Sequence, residues 1–153
     1  QMKLAWTVVS GPEKLVDQAL LGLEYVADAY LSVSGPTAVA APRFLDHGPS
    51  VRTAISARCR RNLDTLEAFT RPVPAMTLLH PGGGWSAVVR IPVVEDEESL
   101  ALRLLEERGV AVHPGYLFDF PSDGYLVLSL LPREEVFTEG VIRLVAEVEG
   151  SIA

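Results

Sequence analysis

Cysteine is almost missing from this sequence: Cys59 is the only one in 153 residues. No intrachain disulfide and no cysteine-based zinc cluster can form, which fits a reducing compartment and leads to an expectation of a cytoplasmic protein. Histidine is also scarce. His47, His80 and His113 each stand beside a Pro or Gly turn, and none is paired at metal-ligand spacing, so no metal is expected. Basic residues are outnumbered, 13 against 20 acidic, for a net charge of -7. The basic footprint that nucleic-acid binding needs is therefore absent. No uninterrupted apolar run approaches the ~20 residues that cross a bilayer, and the N-terminus lacks the order of a signal peptide. Neither nucleic acid nor membrane is expected as a partner. With 48% hydrophobic and 22% charged residues, the chain has the composition of a globular protein with a core.

The patterning changes character midway. Leu4 to Val9 is a short apolar run closed by Ser10-Gly11-Pro12 and predicts a strand. Glu13 to Leu31 turns helical, with Leu15, Ala19, Leu23 and Val26 on one face. Ser32-Val33-Ser34-Gly35-Pro36 breaks it. Thr37 to Leu45 predicts a short helix interrupted near Pro42, and Asp46 to Pro49 a loop. Ser50 can cap a helix over Val51 to Phe69, with Val51, Ile55, Cys59, Leu63 and Leu66 as its apolar stripe. After Arg71-Pro72-Val73-Pro74 the pattern predicts strands at Met76–Leu79 and Trp85–Ile91, the second placing Trp85, Ala87, Val89 and Ile91 on one face. A helix follows from Asp96 or Ser99 to Arg108, stopped by Gly109. Strands at Val110–His113 and Leu126–Leu131 precede a last helix opened by Pro132, Glu134 and Glu135. Met76 to Gly150 thus reads β-β-α-β-β-α, an α+β unit with a mostly antiparallel sheet and helices on one face. The first ~50 residues hold too few elements to close a core of their own, and the opening at Gln1, almost within a strand, is expected to lie inside a larger domain.

Taken singly, the eye-catching features have plain readings. Gly82-Gly83-Gly84 feeds a strand and carries no lysine, as a tight turn would, whereas a phosphate loop feeds a helix. Cys59 lies on an apolar stripe, as a core thiol does. Glu95-Asp96-Glu97-Glu98 suits a solvated helix start. The arginines of helix 51–69 suit a solvated or ion-paired face.

Together and in order, four stretches resemble the C-terminal part of the class I/II, fold type I, aspartate aminotransferase-like family of pyridoxal-phosphate (PLP) enzymes. Met2-Lys3-Leu4-Ala5-Trp6 resembles the segment just after the cofactor lysine. Ser32 to Ala41 resembles the loop and helix near the subunit interface. Pro81-Gly82-Gly83-Gly84-Trp85 resembles the P-x-G-G-aromatic hairpin that opens the small domain. Gly109 to Phe118 resembles G-V-x-V-x-P-G-x-x-F, followed by Gly124-Tyr125-Leu126-Val127-Leu128-Ser129.

The resemblance implies a remnant of the PLP-binding large domain at 1–48, a connecting helix and linker at 49–74, and the small domain at 75–153. It implies amino transfer between an amino donor and a keto acid with pyridoxal 5'-phosphate, in a homodimer. Lys3 falls where the family has an arginine for the cofactor phosphate, and Trp85 where an aromatic lines the substrate pocket. No catalytic residue is expected within the chain, since the Schiff-base lysine belongs upstream of Lys3, and the chain alone is expected to be inactive. Val127 stands where the family has the arginine that grips the substrate carboxylate; valine cannot make that bidentate contact, so Arg133 or Arg90 would have to supply it, or the substrate is not a standard α-amino acid. Two other readings stay open: a stand-alone α+β ligand-binding or dimerisation module, and a PLP-dependent lyase or decarboxylase of the same superfamily.

Overall fold

The structure, a computed structural model, describes residues 3–30 and 33–151. The chain divides into two compact units, Gln1–Val51 and Arg52–Ala153.

In the first unit, helix α1 (Glu13–Asp28) starts behind Pro12, whose missing N–H costs a helix start nothing. None of its residues is buried, and among the described residues of this unit only Thr37 is. Among its described residues the unit carries many apolar side chains and leaves most of them exposed. The expected strand Leu4–Val9 does not form. A strand exists by pairing, and among the described residues of this unit there is no other strand to accept its backbone groups. Met2 and Ser32, the first residues of two stretches in the family resemblance, fall outside the described residues.

Helix α2 (Gly35–Thr70) corrects a second expectation. The short helix, loop and longer helix foreseen between residues 37 and 69 are one continuous helix that includes Pro42 and Pro49. Proline removes a single i→i−4 donor and crowds one carbonyl. Here the two prolines are seven residues apart, two helical turns, so the lost bonds fall on one exposed face. Ser50 is accordingly no N-cap; its hydroxyl points back to the His47 carbonyl at 3.5 Å.

The second unit is a two-layer α+β structure. Strands β1 (Thr77–Leu79), β2 (Ser86–Arg90), β3 (His113–Pro114) and β4 (Tyr125–Ser129) form an antiparallel sheet in the order β1-β2-β4-β3. The register sets Ala87 opposite Leu128 and Val89 opposite Leu126. These four, with Leu78 and Leu130, face a core completed by Cys59 and Leu66 of α2, Leu100 and Leu104 of α3 (Glu97–Arg108), and Phe137, Val141, Leu144 and Val148 of α4 (Glu134–Gly150). The opposite face carries Val88, Arg90, Tyr125 and Val127, as the two-residue period of a strand requires.

Helix α3 is bounded as its sequence specifies. Asp96 Oδ1 accepts the Ser99 amide at 2.9 Å, and Gly109 closes the helix in the left-handed region at φ 63°. Gly109 and Val110 donate to Leu105 and Leu104 at 3.1 and 2.9 Å. That closure explains why the expected strand Val110–His113 shrinks to His113–Pro114: the Val110 amide is spent on the helix end. The ends of α3 and α4 are tied by Glu147, buried between Arg103 and Arg108.

Two measurements test this division. Leu104→Ala should lower stability by about 2–5 kcal/mol, as for other fully buried leucines, whereas Leu15→Ala in α1 should change it by less than about 0.5 kcal/mol; denaturant titration reads both. The Asp96 carboxyl is held below its usual range, chiefly by the hydrogen bond from the Ser99 backbone. A depressed acid stabilises the fold above its unfolded-state pKa and loses that contribution as pH falls through the folded value. The gap in Tm between the wild type and Asp96→Ala should therefore be full at neutral pH and shrink as the solution is acidified below the ordinary carboxylate range.

Candidate functional site

Trp85 lies at the head of β2, where the turn Gly82-Gly83-Gly84 delivers the chain into the sheet. Its carbonyl still accepts the Leu130 amide at 2.7 Å, extending the β2–β4 pairing by one bond. Its side chain, expected on the core face beside Ala87, is instead 61% exposed. The glycines before it have no side chains to cover an indole, and nothing lies near their Cα hydrogens. Trp85 walls a groove of about 650 Å³, with Ile55, Cys59 and Leu63 of α2 and Leu130 and Leu131 after β4 on its other sides and Arg52 and Arg60 among its lining residues. This is the size of a small-molecule site. Asn62 holds the two walls together: its amide nitrogen donates to the Leu130 and Pro132 carbonyls, both at 2.9 Å, while its Oδ1 is buried without a partner.

Val127 occupies the middle of β4, opposite Val88 on one side and His113 on the other. It is only 4% exposed and lies on the sheet face turned away from the core. Tyr125 shares that face and stacks on Phe120 with ring centroids 4.5 Å apart, while His113 meets Phe118 edge-on at 6.1 Å. Trp85 and Val127 therefore do not share a groove. Lys3 lies in the first unit, exposed and outside any regular element.

The segment between β3 and β4 is set by two residues that patterning did not single out. Glu97, read from sequence as part of a solvated helix start, is 3% exposed. Its two oxygens accept the Tyr116 amide at 3.0 Å and the Tyr125 amide at 2.6 Å. One carboxylate thus holds both the single 3₁₀ turn Gly115–Phe118 and the start of β4. The turn packs so closely that a Cβ on Gly115 would come within 2.7 Å of the Tyr125 Cβ. The sequence signal was an acidic residue at a helix start, which solvation explains equally well, so only the fold separates the two roles.

No protein-family model matches the chain, and no curated protein sequence matches it. Solved structures do. An α-aminoadipate aminotransferase from Thermus thermophilus superposes with a TM-score of 0.66 at 28% identity, over 94% of this chain and 37% of its own. A tyrosine aminotransferase from Leishmania infantum gives 0.75 at 18% identity, over 91% and 35%. A PLP-dependent aminotransferase from Streptococcus suis gives 0.71 at 22%, over 90% and 36%. The chain has the fold of part of a PLP-dependent aminotransferase.

It spans about a third of the length of the aminotransferases it matches. Within that fold the resemblance foreseen from sequence acquires physical reasons. The glycine of the P-G pair is where two strands of backbone nearly touch, and the glycine-rich hairpin bares the aromatic that follows it.

The lysines of the chain, Lys3 and Lys14, are both exposed. Lys3 is engaged in no ion pair among the described residues, so its ammonium could serve a phosphate as a point charge. A phosphate beside Lys3 would meet its ammonium, which is itself exposed.

The Glu97 arrangement gives a sharp test. Both oxygens are acceptors, and glutamine would turn an N–H₂ group toward one of the two backbone amides. Glu97→Gln should cost about 1–3 kcal/mol, the cost of stranding a buried polar group, and nuclear magnetic resonance should show the amide shifts of Tyr116 and Tyr125 moving most. Gly115→Ala should perturb the same two residues with Glu97 intact.

Proposed function

We propose that this chain is the C-terminal part of a PLP-dependent aminotransferase subunit, contributing its small domain to the transfer of an amino group between an amino donor and a keto acid. The observation that carries the reading is the superposition of nine-tenths of the chain on solved aminotransferases. The cofactor supplies the electron sink when bound, and the protein supplies orientation and charge. On this reading Lys3 provides a cation for the cofactor phosphate, and Trp85 provides an aromatic wall at the substrate side of the hairpin. The sheet face around Val127 is where the substrate carboxylate is received. The lysine that carries the cofactor lies outside these 153 residues. The subunit works as a cytoplasmic homodimer, and the exposed apolar side chains of α1, Leu15, Leu21 and Tyr25 among them, are the kind of surface that seeks a partner.

Supplied with PLP, an amino donor and 2-oxoglutarate, the chain alone should transfer no amino group, whereas the longer subunit that contains it should do so. Borohydride reduction should trap no stoichiometric adduct at Lys3 or Lys14. Saturable trapping at one of these lysines, together with transamination by the chain alone, would defeat the proposal. Strict monomers of the longer subunit in light scattering over a wide concentration range would remove the dimer from it.

A further inference from the structure

The groove beside Trp85 is largely apolar, but its charge has one sign. Arg52 and Arg60 line it and no acidic residue does, in a chain of net charge -7. Arg52, Ser56 and Arg60 follow one another at four-residue steps on α2. Each step advances about 6 Å along a helix and turns only about 40° around it, so the three form a row with the serine hydroxyl between two guanidiniums. The same three also line an adjoining depression of about 410 Å³ on the surface of α2, and all are exposed. The row therefore forms a lip of the groove that faces solvent.

Neither arginine is spent elsewhere. Among the described residues α2 makes ion pairs through Arg61 with Glu134 and through Glu67 with Arg71. Arg52 and Arg60 have none, although Asp64 follows Arg60 by one turn. Their backbones are roughly 12 Å apart, and their long side chains can converge over Ser56. Two free guanidiniums and a hydroxyl match a phosphate, which carries nearly two charges and three acceptor oxygens.

Trp85 supplies a second kind of contact. Its indole is exposed, and the space around Gly82, Gly83 and Gly84 is open where side chains would crowd a flat ring. Ile55, Cys59 and Leu63 add apolar surface. A bare aromatic face of this kind stacks with a nucleobase. At about 650 Å³ the groove has room for base, sugar and phosphate together.

We propose that this groove binds a nucleoside monophosphate, with its base on Trp85 and its phosphate among Arg52, Ser56 and Arg60. Charge complementarity selects the anion, and the bared indole selects the ring. The guanidinium N–H groups and the Ser56 hydroxyl donate to the phosphate oxygens. The groove lies wholly within the second unit, so the inference goes beyond amino transfer and does not rest on it.

The experiment is a calorimetric titration of the 153-residue chain at neutral pH with adenosine 5'-monophosphate, and with adenosine and ribose 5-phosphate as its two halves. The monophosphate should bind tighter than either half by about tenfold or more. In nuclear magnetic resonance, adenosine 5'-monophosphate and adenosine should shift the Trp85 indole N–H, and ribose 5-phosphate should not. Arg52→Gln combined with Arg60→Gln should bring the monophosphate down to the affinity of adenosine. Trp85→Ala should bring it down to that of ribose 5-phosphate. Arg58→Gln, on α2 but outside the groove, should change neither. These side chains are exposed, so the far-ultraviolet dichroism of each variant should match the wild type. Absence of binding, a monophosphate no tighter than its halves, an advantage that survives the double substitution, or an equal loss in Arg58→Gln would each overturn the assignment. PLP binding more tightly than adenosine 5'-monophosphate would give the groove to a different ring phosphate and overturn it as well.

Discussion

The pairing of β2 with β4 is the constraint on which the second unit depends. Five residue pairs are locked by it, and with them the side of the sheet on which every nearby side chain stands. Val89 and Leu126 go inward together, as do Ala87 and Leu128; Val88, Arg90, Tyr125 and Val127 go outward together. A slip of one residue would bury Arg90 and expose Val89, so the pairing is enforced by the hydrophobic free energy of the core. The same alternation that builds the core thus determines which charged group stands on the outer face.

Around that pair, local devices fix the ends. Asp96 and Gly109 bound α3, Glu97 ties the turn after β3 to the start of β4, and Asn62 joins α2 to the strand end at Leu130. Each uses a polar group to satisfy backbone atoms that would otherwise be left without partners. Glu97 and Asn62 are buried and sit where two elements converge, so the cost of leaving them unsatisfied falls on a junction and not on a single helix.

Much of this unit could be read from sequence, because periodicity and punctuation are local. The β-β-α-β-β-α order, the Gly109 stop of α3, and the inward alternation of Ala87, Val89 and Ile91 all rest on residues a few positions apart. What was misread depends on distant partners. Leu4–Val9 has strand composition but no strand to pair with. Pro42 and Pro49 look like breaks, yet the helix runs through both. Trp85 follows the alternation of β2 but sits one residue outside it, where neighbouring glycines leave it bare. Glu97 carries the same letter as its exposed neighbour Glu98, and only the three-dimensional arrangement makes it a buried acceptor. That Val88, Arg90, Tyr125 and Val127 share one face depends on register, which no single strand reveals.

Asn62 has a bearing on the groove beside Trp85. Its two hydrogen bonds clasp the helical wall at Cys59 and Leu63 to the opposite wall at Leu130 and Leu131, so widening the aperture would break both and strand the buried Leu130 carbonyl. A molecule entering there meets walls already at their final spacing and need not supply the free energy to order them. Selection in that groove would therefore act through fit to a fixed gauge, so that small differences in ligand thickness would count for more than flexibility of the ligand's tail.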